Sequence, residues 1–141
     1  MKVLFAESDE EIRRCFPALN ELRPHLSPDG YFDQVKRQQE ASGYRLVYLE
    51  ENEILRSVAG FRILESLAWG NHMYVDDLVT LSSERSKHFG EQLFDWLISY
   101  AREIGCTQLH LDSGIQRFDT HRFYMKKRMA ITCHHFALRL N

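Results

Sequence analysis

The sequence predicts a mixed α/β fold of the α+β kind: a mostly antiparallel sheet with one central parallel βαβ unit and helices on both faces. Three observations carry that expectation. Runs rich in β-branched and aromatic residues follow one another closely between residues 44 and 81, at hairpin spacing. The apolar period then changes to three and four over residues 82–104. A further alternating run, 106–112, follows that helix, and a strand–helix–strand unit of this kind crosses over with a right hand. A chain of 141 residues suits a single domain over 1–141 with a sizeable core.

Taken in order, Lys2 to Ala6 reads as a first strand. Ser8 with Glu11 has the spacing of a capping box, and Ile12, Cys15, Phe16, Leu19 and Leu22 share one helical face up to Pro24. Ser27-Pro28 opens a second helix, with Tyr31, Phe32 and Val35 as apolar contacts and Gly43 as its stop. Tyr44 to Glu50 is a strand, Glu51-Asn52-Glu53 a polar turn, and Ile54 to Leu67 the returning strand. Trp69-Gly70-Asn71 turns the chain into a third run, His72 to Leu81. Ser82 to Ile104 is the strongest helix, with Phe89, Leu93, Trp96, Leu97, Tyr100 and Ala101 on its apolar face and Gly105 at its end. Cys106 to Asp112 is a strand, Phe118 to Met129 a helix and Ile131 to Leu140 a closing strand. The resulting order is βααβββαβαβ.

Composition excludes several classes. Hydrophobic residues make up 44% of the chain, too many for a mainly disordered one. A formal charge of −2 argues against a protein that coats nucleic acid. No apolar run approaches the roughly 20 residues of a spanning helix, so no membrane partner is expected. The opening residues are too short for a signal peptide. Cys15, Cys106 and Cys133 are odd in number and lack CxxC spacing. Neither a disulfide framework nor a structural metal site is expected, and a cytoplasmic, reducing setting fits.

The most informative stretch runs from Val75 to Leu93, where a strand passes through a short polar loop into the long helix. The first turn of a helix has unpaired N–H groups and partial positive charge, a ready seat for a phosphate or pyrophosphate. Gly90 would let a ligand approach the backbone, and Arg85 and Lys87 add positive charge. An ordinary strand-to-helix joint, with glycine chosen for packing, reads equally well from these residues alone.

Arg85-Ser86-Lys87-His88-Phe89-Gly90 resembles the loop of the GNAT superfamily of N-acetyltransferases: Arg or Gln, two residues, Gly, one residue, then Gly or Ala. His88 stands where the first glycine is usual. Asp77-Leu78-Val79-Thr80 resembles the family's fourth strand, Arg122-Phe123-Tyr124 its "FY" helix, and His134-His135-Phe136 its closing strand. The likeness extends from about Tyr44 to Leu138. It departs again at Met129-Ala130, where relatives carry Gly-Phe.

The resemblance implies an acetyl-coenzyme A dependent enzyme that passes the acetyl group directly to a primary amine, without metal. Backbone groups of Leu78, Val79 and Thr80 would pair with the pantetheine arm. Amides of Ser86, Lys87, His88, Phe89, Gly90 and Glu91 would hold the pyrophosphate beside Arg85, and Arg117 takes a place where relatives carry Asn near the cofactor. Tyr124 matches the general acid that protonates the leaving thiolate; packing as a core aromatic is the alternative. Asp77 matches the acidic position that accepts the amine's proton; bracing the strand is the alternative. Asp76 is its neighbour, and strand alternation lets at most one of the two face the cleft unless a bulge intervenes.

The remaining candidates read more blandly. His134-His135 straddles a strand, His110-x-Asp112 reads as a structural pair, and Lys126-Lys127-Arg128 as a helix end that can also approach the 3′-phosphate of coenzyme A. The acceptor is expected between the first two helices and the last strand, at Arg23 to Phe32 and His134 to Phe136, with Tyr31, Phe32 and Trp69 as candidate walls. The resemblance allows a homodimer paired through the closing strand, and equally a strand that stays covered. The rival function is a non-catalytic acyl-coenzyme A binding module with the same fold. An unrelated phosphate-binding domain is the more distant rival.

Overall fold

The computed structural model of the chain describes residues 1–85 and 87–141. Its contacts divide it into two compact units, Met1–His110 and Leu111–Asn141. The elements are β1 (Lys2–Phe5), α1 (Asp9–Arg14), α2 (Phe16–Leu22), α3 (Pro28–Ser42), β2 (Arg45–Glu51), β3 (Ile54–Ser66), β4 (Gly70–Thr80), a 3₁₀ turn (Ser82–Glu84), α4 (Phe89–Glu103), β5 (Gln108–Leu111) and α5 (Phe118–Lys126). The mixed fold expected from the sequence is present: five strands in the order β1-β2-β3-β4-β5, antiparallel except for one parallel pair.

The hairpin between β2 and β3 turns on Asn52 and Glu53, both with positive φ, and Glu51 pairs with Ile54. Two such residues make the tight loop whose twist matches the strands. In β2, Leu46, Val47, Tyr48, Leu49 and Glu50 are all buried, because both faces of the sheet are covered. Leu46 and Tyr48 join Ile12, Leu19, Tyr31 and Val35 in one cluster beneath α1–α3. On the opposite face lies α4, where Leu93, Phe94 and Leu97 are fully buried and Tyr100 packs on Phe61 with ring centroids 5.8 Å apart. Burying each of these side chains is worth about 1.5–3 kcal/mol.

Three expectations need correction. The first helix is not continuous from Ser8 to Pro24. The capping box at Ser8 and Glu11 is formed, but the helix breaks at Cys15, and Pro17 starts α2 because it has no N–H to continue the ladder. The long helix starts at Phe89, where its apolar face begins, rather than at Ser82; Arg85 is extended and separates it from the 3₁₀ turn. The closing strand over 131–140 is absent. A strand exists only by pairing, and residues 130–141 are irregular and exposed, with Phe136 at 93%. Within the second unit α5 ends at Lys126, short of the expected Met129, and Arg128 takes positive φ.

Candidate functional site

Strand β4 organises the site. Its register with β3 slips between Gly60 and Phe61: Gly60 faces Asp77, Phe61 faces Val75, and Asp76 is the extra, bulged residue. A bulge re-aims side chains and breaks strict alternation. Asp76 is held by Arg62 through two contacts of 2.8 Å. Asp77 instead points to the α2–α3 side. Its Oδ2 accepts from the Tyr44 hydroxyl at 2.8 Å and its Oδ1 from Arg23 Nε at 3.2 Å, while Arg23 Nη2 donates to the Asp76 carbonyl at 3.1 Å.

Tyr44 reaches Asp77 only because residue 60 is glycine. A Cβ there would lie 1.8 Å from the tyrosine oxygen. Burial, together with the neighbouring Asp77 carboxylate, pushes the Tyr44 phenol well above the usual value, so it remains a neutral donor. Asp77 opens into a cavity of about 180 Å³ between α2 and α3, walled by Leu19, Leu26, Tyr31 and Val35 with Arg23 and His25 also lining it. The Tyr31 hydroxyl donates to the Ile12 carbonyl at 2.6 Å, which fixes that wall.

Beyond Asp77, residues Leu78, Val79 and Thr80 pair with Ala59, Val58 and Ser57 of β3 on one edge. The other edge belongs to β5, which enters beside the start of β4, where Thr107 N donates to the Asn71 carbonyl at 2.9 Å. Four residues of β5 reach only part of the way along the eleven of β4. Among the described residues no strand covers that edge beside 78–80.

His88 has φ 65° and ψ 17°, the left-handed region, and caps α4. Its imidazole is exposed and lies 3.3 Å from Glu91 Oε2. At Gly90 a Cβ would meet Thr80 Oγ1 at 2.8 Å, so glycine there is needed for the close approach of strand and helix. The two loop cations are tied to acids: Arg85 lies 3.8 Å from Glu21 and donates Nε to the Thr80 carbonyl, and Lys87 lies 3.3 Å from Glu84, which also binds Arg56 at 2.7 Å. Phe89 is buried under the Arg56 guanidinium. Ser86, the remaining loop candidate, lies outside the described residues.

Tyr124 and Arg117 belong to the second unit, where Arg117 caps α5 and Tyr124 is half-buried in it. Burial raises the Tyr124 phenol above its ordinary value, and the Arg117 charge partly offsets that. In the same unit His135 Nδ1 lies 3.0 Å from Asp112, while His134 and Phe136 are exposed.

Of the expected acceptor walls, Tyr31 lines the cavity. Phe32 stacks under Arg13, and Trp69 stacks on His110 at 3.7 Å, beside His72. The buried Cys15 thiol is pushed up to about 12 by burial, which leaves it a poor nucleophile. Among the described residues no group of three or more His, Cys, Asp or Glu converges as a metal site, and no helix is long and apolar enough to cross a membrane. Sequence reasoning missed Tyr44 and Gly60. The signal was a lone glycine inside the strand run Val58-Ala59-Gly60-Phe61, which marks a bulge or a close approach.

A family model described as "Acetyltransferase (GNAT) family" matches residues 7–129. A Bacillus subtilis protein named as the uncharacterized N-acetyltransferase YhdJ is 35% identical over 132 residues, covering 94% of this chain and 92% of its own length. Among solved structures, the ribosomal-protein-alanine N-acetyltransferase of Brucella melitensis superposes with a TM-score of 0.83 at 16% identity, over 99% of this chain and 100% of that one. The glucosamine-6-phosphate N-acetyltransferase of Arabidopsis thaliana gives 0.74 at 18% identity, over 99% and 98%. These two structural likenesses show a shared fold, carried by proteins named for quite different acceptors.

Proposed function

The chain belongs to the GNAT acetyltransferase family and is an acetyltransferase, and from that premise we propose that it moves an acetyl group from acetyl-coenzyme A directly to a primary amine seated at Asp77. One observation carries this reading: the edge of β4 at Leu78–Thr80, uncovered among the described residues, runs from the cavity at Asp77 into the glycine-bearing start of α4.

The residues present fit the cosubstrate. Gly90 lets the first turn of α4 close on Thr80, and the left-handed His88 leaves its ring in solvent. Backbone groups of Leu78, Val79 and Thr80 would hold the pantetheine arm, and amides from Lys87 to Glu91, with Arg85 alongside, the pyrophosphate. Acetyl-coenzyme A supplies an activated acyl carbon. The strand's backbone donors would polarise its carbonyl, and holding the amine in attack geometry supplies much of the acceleration.

Asp77 accepts a proton from the ammonium, directly or through water. The amine nitrogen then forms the C–N bond as the C–S bond breaks; Tyr124 gives its proton to the departing sulfur, and the second proton shed by the nitrogen restores the phenol. Burial favours the neutral phenol, so Tyr124 keeps its proton to higher pH than a free tyrosine would. Three unpaired cysteines support a reducing, cytoplasmic setting.

Calorimetric titration with acetyl-coenzyme A, with ATP as control, tests the cosubstrate. Binding of the first alone is the expected result, and no binding overturns the reading. Tyr124→Phe should leave that binding within about twofold and lower kcat by about 10²-fold or more, the usual weight of a general acid. The alkaline limb of the wild-type kcat profile should lie above about pH 10, the ordinary phenol value, and be absent in the variant. An unchanged kcat would instead favour the bland reading of Tyr124 as a packed aromatic.

A further inference from the structure

The cavity beside Asp77 is small and carries both signs of charge. Its volume of about 180 Å³ falls below the roughly 300–1,000 Å³ of pockets that take drug-sized ligands. That suits a short acceptor better than a folded peptide segment. The Asp77 side chain is 17% exposed, and its carboxylate is already engaged by Arg23, which is 45% exposed. The Arg23 contacts use Nε and Nη2. Among the described residues nothing accepts from Nη1, so two of its five N–H donors remain for an incoming oxygen. His25 lines the same cavity, and Leu19, Leu26 and Val35 supply an apolar stretch.

This arrangement discriminates among amines. A plain alkylamine must compete with Arg23 for Asp77, and its ammonium is repelled by the guanidinium it displaces. A diamine adds a second charge of the same sign. An amine that carries its own anion a few carbons away meets both partners: the ammonium takes Asp77 and the anionic oxygens take Arg23.

We propose that the acceptor is a short aminoalkyl acid, with its amine on Asp77 and its carboxylate or phosphonate on Arg23 beside His25. The proposal rests on the acetyl-coenzyme A reading above. Charge-assisted contacts of guanidinium with carboxylate or phosphonate are the strong ones, and phosphonate offers one more oxygen to the fork.

The test is thiol release from acetyl-coenzyme A by the full chain with five acceptors: propylamine, a propane diamine, β-alanine, aminopropylphosphonate and a short unblocked peptide. At least one of the two acids should exceed propylamine in kcat/KM by about tenfold or more, chiefly through KM, and the pair together separates carboxylate from phosphonate. Arg23→Gln should bring the ratio of acid to propylamine close to one, and Arg23→Lys should restore part of it, because charge survives without the fork. Acetyl-coenzyme A binding, measured by calorimetry on the same variants, reports that they are folded.

A flat panel, or a faster diamine or peptide, overturns the proposal while acetyl-coenzyme A binding leaves the acetyltransfer reading standing. A ratio unmoved by Arg23→Gln in a variant that still binds acetyl-coenzyme A also overturns it. Loss of binding in the wild-type chain removes the underlying reading and this one together.

Discussion

The two sides of the proposed reaction centre are built in opposite ways. The cosubstrate side would be the end of β4 with the start of α4, and would work through backbone: strand edge, loop amides and a helix start. The acceptor side gathers side chains from Leu19 to Asp77, supplied by α2, the α2–α3 connection, α3, Tyr44 just before β2, and β4. On the first, a left-handed position carries a side chain at His88, with φ 65° and ψ 17°. The second depends on individual contacts, of which Tyr44 to Asp77 is the most demanding, since a strand residue must lack its Cβ for it to form. A backbone site can therefore drift in sequence at constant function, whereas a side-chain site changes its ligand when it drifts.

The sharpest way to break the comparison is at Gly60. Gly60→Ala places a Cβ against a buried phenol, with no flexible end to yield, and should cost about 3 kcal/mol or more of stability. Thermal unfolding checks this; a loss below about 1 kcal/mol, by the same overpacking argument, would mean that Tyr44 has another place to go. Tyr44→Phe keeps the fold testable, because it removes only the hydroxyl. It should lower kcat/KM for the acceptor by about tenfold, the weight of one hydrogen bond to a charged group, and leave acetyl-coenzyme A binding unchanged.

The same contrast explains what the sequence reveals. Contiguous signals were legible: the capping box at Ser8 and Glu11, the stop at Gly43 and the apolar face beginning at Phe89 all act within a few residues. The partners of Asp77 were not, because Tyr44 and Arg23 lie 33 and 54 residues away and meet it only through the hairpin register and the bulge at Asp76. The closing strand failed for a related reason. Alternation over Ile131–Leu140 states which residues can share a face, but pairing decides whether a strand exists, and no local signal contains the pair. At Pro17 the signal is local: a missing N–H inside an apolar helical face breaks it.

On the cosubstrate side the expected effects are smaller. Gly90→Ala brings a Cβ to 2.8 Å from Thr80 Oγ1, the end of a side chain that can rotate. Stability should fall by only about 1 kcal/mol, and the KM for acetyl-coenzyme A should rise by about tenfold, with kcat nearly constant. A change in kcat without a change in KM would mean that the loop touches the chemistry rather than the binding.

His88→Gly should have the smallest effect, and its sign is the informative part. A left-handed residue with a Cβ is strained by about 1 kcal/mol, and at φ 65° His88 carries that strain at the mouth of α4. Glycine relieves it but gives the unfolded chain more freedom, which returns roughly 0.5–1 kcal/mol. It also removes the exposed contact with Glu91, whose worth is at the low end for a surface pair. The net change in melting temperature should stay within about 2 °C. His88→Ala keeps the strain and loses the contact, so it should melt below both. If His88→Gly instead weakens acetyl-coenzyme A binding tenfold, the imidazole takes part in holding the pyrophosphate, and the cosubstrate side depends on a side chain after all.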